Sequence, residues 1–156
     1  MKKLILALTV FAGTFGYGQN ALLTDATTGD ITAPTYDFEF VYDGTDLVLV
    51  TGSYTTGYLY AIDFNWTTAA GVHDWESNNI PDIVSSIAGL LGTSESNLSV
   101  WDMKVNPKTN AVVLLVFDGE ASNTFLFEAK NPLDLTLISM DDVTYSRVQY
   151  TTDEHY

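Results

Sequence analysis

The sequence predicts a mainly β fold of antiparallel meander sheets, built as two related units with one amphipathic helix between them. Three observations predict it. Ser99–Lys130 reads as three short strands separated by two turns. A weaker copy of that pattern lies upstream, in residues 35–66. Helical spacing of apolar residues is confined to one segment between the copies.

The N-terminus is set apart from the fold. Met1-Lys2-Lys3 is positively charged, Leu4–Ala12 is an apolar run too short to cross a bilayer, and Gly16 and Gly18 are small residues at −3 and −1 of a cut before Gln19. That is the pattern of a secretory signal peptide over residues 1–18, with cleavage at Gly18/Gln19. The expected location is secreted or periplasmic. Residues 19–34 are small and polar and read as a leader or loop. Asp25 and Asp30 there lack the dense Asp/Asn–Gly ladder of a calcium loop.

Residues 35–156 form the β domain. Thr35–Tyr42 alternates, with Tyr36, Phe38, Phe40 and Tyr42 on one face and Asp37 and Glu39 on the other, as a half-buried strand requires. Asp43-Gly44 turns the chain, and Leu47–Ser53 with Tyr58–Phe64 forms a hairpin. In residues 79–92 the period changes. Ile80, Ile83, Val84, Ile87, Ala88 and Leu91 fall at helical spacing, Pro81 suits a first turn and Gly92 an exit, so a helix is expected over about 81–91, lying as a lid on the sheet.

Val100, Met103 and Val105 then alternate with Asp102 and Lys104 up to the turn Asn106-Pro107. Ala111–Phe117 is a continuous apolar run between turn signals, expected as a strand buried on both faces. Asp118-Gly119 turns the chain into Asn123–Lys130. Further strands are expected within residues 133–150, at Leu133–Met140 and Val143–Tyr150.

The copies align as Asp37-Phe38-Glu39-Phe40 with Asp102-Met103-Lys104-Val105, Thr45–Val50 with Thr109–Leu114, and Leu59-Tyr60 with Leu126-Phe127. The offsets are 65, 64 and 67, so length changes fall in turns. A three-strand repeat at this spacing indicates stacked or radially arranged sheets. Val100–Val112, with its Asp-Met-Lys-Val-Asn-Pro core, resembles the strand–turn–strand of bacterial secreted β-propeller proteins. Gly89–Thr93 and Asp142–Val148 are similar to an uncharacterised exported group of that kind. The resemblance implies two propeller-like blades, residues 35–66 and 99–130. Because a ring needs about four to eight blades, it also implies a fragment of a longer chain, an association of copies, or a compact sandwich instead.

Composition excludes some partners. Without residues 1–18 the chain holds four basic residues (Lys104, Lys108, Lys130, Arg147) against 20 acids, a net charge of about −16. Such a field repels nucleic acid and anionic membrane. There is no cysteine, hence no disulfide or lipidated N-terminus, and no later segment has the length and hydropathy of a membrane-spanning helix.

No stretch carries a nucleophile elbow, phosphate loop, HExxH or CxxC motif, and the chain is read as a non-enzyme. Candidate metal ligands are His73, Asp74 and Glu76, which stand within four residues, and the equivalent acids Asp37 and Asp102, which are alternatively acceptors of backbone N–H groups. Trp75, Trp66 and Tyr58 are candidate ligand-binding aromatics; Tyr54, Tyr60 and Trp101 belong to the same platform, with core packing as the other reading. No cofactor is expected beyond Ca²⁺ at such acids. The expected function is an exported acidic binding or scaffold module, with an extracellular protein or glycan as partner. The alternatives are a small secreted β-sandwich binding carbohydrate with Ca²⁺, and the N-terminal fragment of a propeller hydrolase whose active site lies elsewhere.

Overall fold

The computed structural model describes residues 21–32, 35–53, 55–66, 82–131 and 134–150. The signal-like residues 1–18, His73–Glu76, Tyr54, Pro81 and the C-terminal His155 lie outside them. The described chain is mainly β, with nine strands and one α-helix: β1 (Thr27–Gly29), β2 (Phe38–Asp43), β3 (Asp46–Ser53), β4 (Tyr58–Asp63), α1 (Ile83–Leu91), β5 (Leu98–Val105), β6 (Val112–Asp118), β7 (Asn123–Asn131), β8 (Asp134–Ile138) and β9 (Val143–Gln149). The segment read as leader or loop thus contains a short strand, β1. It is edge pairing with β9, not a hydrophobic pattern of its own, that makes Thr27–Gly29 extended.

The strands form two open antiparallel sheets, one of five strands in the order β1-β9-β4-β3-β2 and one of four in the order β5-β6-β7-β8. The second is a plain meander. The first is not. Between β1 and β4 stands β9, which returns after the whole second sheet and pairs with β4 through Tyr58↔Gln149 to Asp63↔Thr144.

The sheets pack face to face. Phe38, Leu49, Tyr60, Ile62, Val143 and Tyr145 of the first meet Val113, Leu115 and Leu126 of the second in one core. The opposite side chains of β6, Leu114 and Val116, join Phe127 and Ala129 in a second core, closed by Ile83, Ile87 and Leu91 of α1. Strand β6 is therefore buried on both faces, which is why its sequence does not alternate. Helix α1 lies on the second sheet. It starts at Ile83, two residues inside the expected start, because the Asp82 carboxylate caps it by accepting from the Val84 and Ser85 N–H groups. It ends at Gly92, whose φ of 70° suits a residue without a Cβ. A 3-10 turn over Ala21–Leu23 crosses the outer face of the first sheet. There the Leu22 N–H donates to Asp43 of β2 (2.7 Å), and the Leu22 carbonyl accepts from the Ser146 hydroxyl of β9.

Register refines the repeat. Phe40 faces Leu49 in the first sheet, whereas Val105 faces Val112 in the second. Leu49 therefore stands where Val112 stands, one residue away from the sequence alignment of the middle strands. One residue matters, because it inverts which side chains point to which face. On the corrected register, strands β2, β3 and β4 correspond face for face to β5, β6 and β7.

The β5–β6 turn is held by Asn106, which is fully buried. Its Oδ1 accepts from the N–H groups of Lys108 (2.9 Å) and Thr109 (3.1 Å), while its Nδ2 has no hydrogen-bond partner among the described residues. Asn106→Ala strips two amides of their acceptor. It is expected to cost about 1–3 kcal/mol, read as a lower urea midpoint at unchanged m-value.

Candidate functional site

The first strands of the two units, β2 and β5, are terminal strands of different sheets, and their edges meet. Because β2 alternates, Asp37 and Glu39 turn away from the core side occupied by Phe38 and Phe40. Because β5 alternates in the opposite sense relative to the core, Asp102 and Lys104 turn towards it, opposite Leu115 and Val113. The equivalent acids Asp37 and Asp102 are thereby brought together with Glu39 around one cation, Lys104. Its Nζ lies 3.1 Å from Asp102 Oδ2, 3.7 Å from Glu39 Oε2, 3.8 Å from Asp37 Oδ1, and 5.6 Å from the centre of the Phe38 ring.

Asp102 is the hub. It accepts from Lys104, from its neighbour Met103 N–H (2.8 Å) and, across the sheets, from Phe38 N–H (3.3 Å). The last of these is an edge donor of β2 that no strand satisfies. The expectation that such an acid accepts backbone N–H bonds describes Asp102, although it does so across a strand edge and not in a turn.

Charge sets the protonation of this group. The hydrogen bond that Asp37 shares with Asp102 raises the Asp37 pKa above the ordinary carboxylate value, helped by burial and by the Asp102 charge. Burial alone would raise Asp102 as well, but hydrogen bonds from Asp37, Lys104 and the Met103 and Phe38 amides hold it below the ordinary value. Burial would lower Lys104, yet Asp102 foremost, then Glu39 and Asp37, keep it raised. Two neighbouring carboxyls are thus pushed apart, one easily protonated and one held ionised.

The signs translate into stability. A raised Asp37 favours folding at pH below its ordinary value, and that contribution is lost as pH rises through its folded value. A lowered Asp102 favours folding above the ordinary value, and its contribution is lost as pH falls through its folded value. Asp37→Asn is therefore expected to raise the melting temperature at pH 7 and to leave it unchanged near pH 3. Thermal melts at the two pH values check this.

Beside the cluster stands a column of rings. Trp101 is stacked between Tyr36 (5.0 Å between centroids) and Phe117 (4.4 Å), each within 11° of parallel. Both faces of the Trp101 indole are therefore occupied, which leaves neither as a stacking platform. Trp66 packs edge-on against Phe40 and Phe64 at the margin of the inter-sheet core, with Nε1 buried and without a partner among the described residues. Tyr58 lies under the Arg147 guanidinium, 4.5 Å from the ring centre. These candidate ligand-binding aromatics are packed into the fold.

Among the described residues no group of three or more His, Asp or Glu side chains has the arrangement of a metal site; Lys104 stands amid Asp37, Glu39 and Asp102. No described helix is long and apolar enough to cross a membrane. Comparison with family models, curated proteins and solved structures finds no match.

Sequence reasoning singled out Asp37 and Asp102 but missed Lys104 and Glu39. The missed signal is their place in the repeat. Glu39 and Lys104 hold equivalent positions with opposite charge, which invites a pair once the two strands lie side by side.

Proposed function

We propose that this chain is an exported, non-catalytic binding or scaffold module made of two propeller-type sheet units. The observation that carries this reading is the sense in which the units stack. The face of the first sheet bearing Phe38, Phe40 and Tyr60 packs on the second sheet. The equivalent face of the second sheet, bearing Met103, Val105 and Phe127, points the other way, towards α1. Equivalent faces follow one another instead of meeting. Neighbouring blades of a propeller are related in that way, and a sandwich of two mirrored sheets is not. The signal-like N-terminus and acidic surface support the exported half of the reading. The charged cluster supports the non-catalytic half, since its acids are engaged by Lys104 and Asp102 accepts the Phe38 edge amide that joins the sheets.

A second reading, an acidic sandwich that binds carbohydrate with Ca²⁺, is favoured by one observation: the two sheets are open. The two readings are separated by melting the purified protein in millimolar CaCl₂, with and without a soluble β-glucan, and assaying chromogenic ester and glycoside substrates. The module reading expects no turnover and an unmoved melting temperature. A rise of several degrees in Ca²⁺, abolished by His73→Ala or Asp74→Ala, overturns it in favour of the second.

A further inference from the structure

We propose that Gln19 becomes the first residue of the exported chain and cyclises there to a pyroglutamyl lactam, which closes the free end of the protein. The inference rests on the exported half of the reading above and adds a covalent modification to it.

Gln19 itself lies outside the described residues, and two observations on either side of it place the cut. Before it, Gly16 and Gly18 are the small residues at −3 and −1 that a signal peptidase reads. After it, the chain is fixed to the fold almost at once. Leu22 in the 3-10 turn is held through both backbone groups. Its N–H donates to the Asp43 carboxylate of β2 (2.7 Å), and its carbonyl accepts from the Ser146 hydroxyl of β9. The Ala26 N–H then donates to the Leu23 carbonyl (3.1 Å), and β1 begins at Thr27 on the edge of β9. A cut before Gln19 removes none of these bonds and leaves three residues, 19–21, ahead of the anchored one.

The chemistry follows from the residue that the cut exposes. A new α-amine at Gln19 reaches the Cδ of its own side chain through a five-membered ring. The amine nitrogen attacks Cδ and forms a lactam C–N bond, while the bond from Cδ to Nε2 breaks. Nε2 departs with a proton of the amine as ammonia, and nothing is oxidised or reduced. Both reacting groups belong to one residue, so no encounter between molecules is needed. Asparagine is one methylene shorter and would have to close a strained four-membered ring, so Asn20 in first place would not react in this way. Gln149, the other glutamine of the chain, has its nitrogen in a peptide bond and cannot cyclise.

The lactam has two consequences. It removes the terminal ammonium from a chain that already carries a large excess of acids. It also withholds the free amine that aminopeptidases require, at the kind of end where proteolysis concentrates. Stepwise trimming from an open end would pass residues 19–21 and reach Leu22, whose N–H bond to Asp43 ties the turn to β2.

The test expresses the full chain with its own leader in a secreting bacterium and recovers the exported protein. After prolonged incubation at neutral pH, its intact mass is expected to equal that of residues 19–156 less one ammonia. Stepwise N-terminal degradation should find a blocked end, and treatment with a pyroglutamyl peptidase should open it at Asn20. The Gln19→Ala variant should be cut at the same bond, keep its full mass and degrade normally. A protein exported with a free amine on Gln19 after the incubation overturns the proposal and leaves the exported reading standing. So does a first residue of Gly13 or Tyr17, from a cut after Ala12 or Gly16. A chain that keeps residues 1–18 and stays in the cell overturns both. The Ca²⁺, glucan and turnover assays decide the non-catalytic half separately.

Discussion

Phe127→Ala is expected to lower the unfolding free energy by about 3–5 kcal/mol, the range for removing a fully buried aromatic side chain. Phe127 has no exposed surface, and it lies at the centre of the core between the second sheet and α1, beside Leu114, Val116, Ala129 and Ile87. Its loss opens a cavity beneath a helix of only nine residues, too short to persist without the sheet. Against a total of about 5–15 kcal/mol for a domain, the variant should sit close to the threshold of folding. Urea titration followed by tryptophan fluorescence gives the free energy. A loss of helical circular dichroism before the main transition is expected as well, because α1 has lost the ring beneath it. A variant as stable as the parent would mean that α1 does not dock on Phe127.

Lys104→Met is expected to cost about 1–3 kcal/mol at neutral pH, the penalty for leaving the part-buried Asp102 carboxylate without its partner. The methylene stem remains, but Asp102, Glu39 and Asp37 lose the ammonium that lies within 4 Å of each. Asp102 suffers most, since its side chain is only 18% exposed. The pH dependence identifies the cause. As pH falls through the carboxylate range the acids protonate, their repulsion disappears, and the deficit relative to the parent should shrink. Denaturation at pH 7 and pH 3.5 measures both values, and Lys104→Arg, which keeps the charge, should recover much of the loss. A deficit independent of pH would assign the effect to packing of the lysine stem against Phe38 instead.

The two variants probe different interfaces. Phe127 belongs to the layer between sheet and helix, whereas Lys104 belongs to the seam between the first strands of the two units. Residue 37 is distant in sequence from residues 102 and 104 but adjacent to them in space, so the seam forms only after both meanders exist. Its ionic strength dependence should be modest, because Lys104 and Asp102 are half-shielded and less screened than surface pairs.

Local pattern was enough to reveal the helix and every described strand but β1. Alternation in residues 35–42 marks β2 because one face must be buried and the other wet. The unbroken run Ala111–Phe117 marks β6 because a strand between two layers has no wet face. Ile83, Ile87 and Leu91 mark α1 because a helix resting on a sheet needs one apolar stripe. The likeness of two distant segments pointed to two equivalent units, and the equivalence drew attention to Asp37 and Asp102.

Only the tertiary structure decided how those pieces meet. Strand β1 has no apolar signature, since Thr27–Gly29 is extended only because β9 offers it an edge. The placement of β9 beside β4 rather than β8 is a long-range choice, set by Val143 and Tyr145 reaching the inter-sheet core. The middle strands of the repeat differ from their sequence alignment by one residue, because register is fixed by which side chains fill the core and not by residue likeness. The grouping of Lys104 with three acids depends on two strands from different sheets lying edge to edge. Periodicity is a property of one segment in its own surroundings and can be read along the chain. Pairing and charge clustering are properties of two segments at once, and they exist only where folding has brought both to the same place.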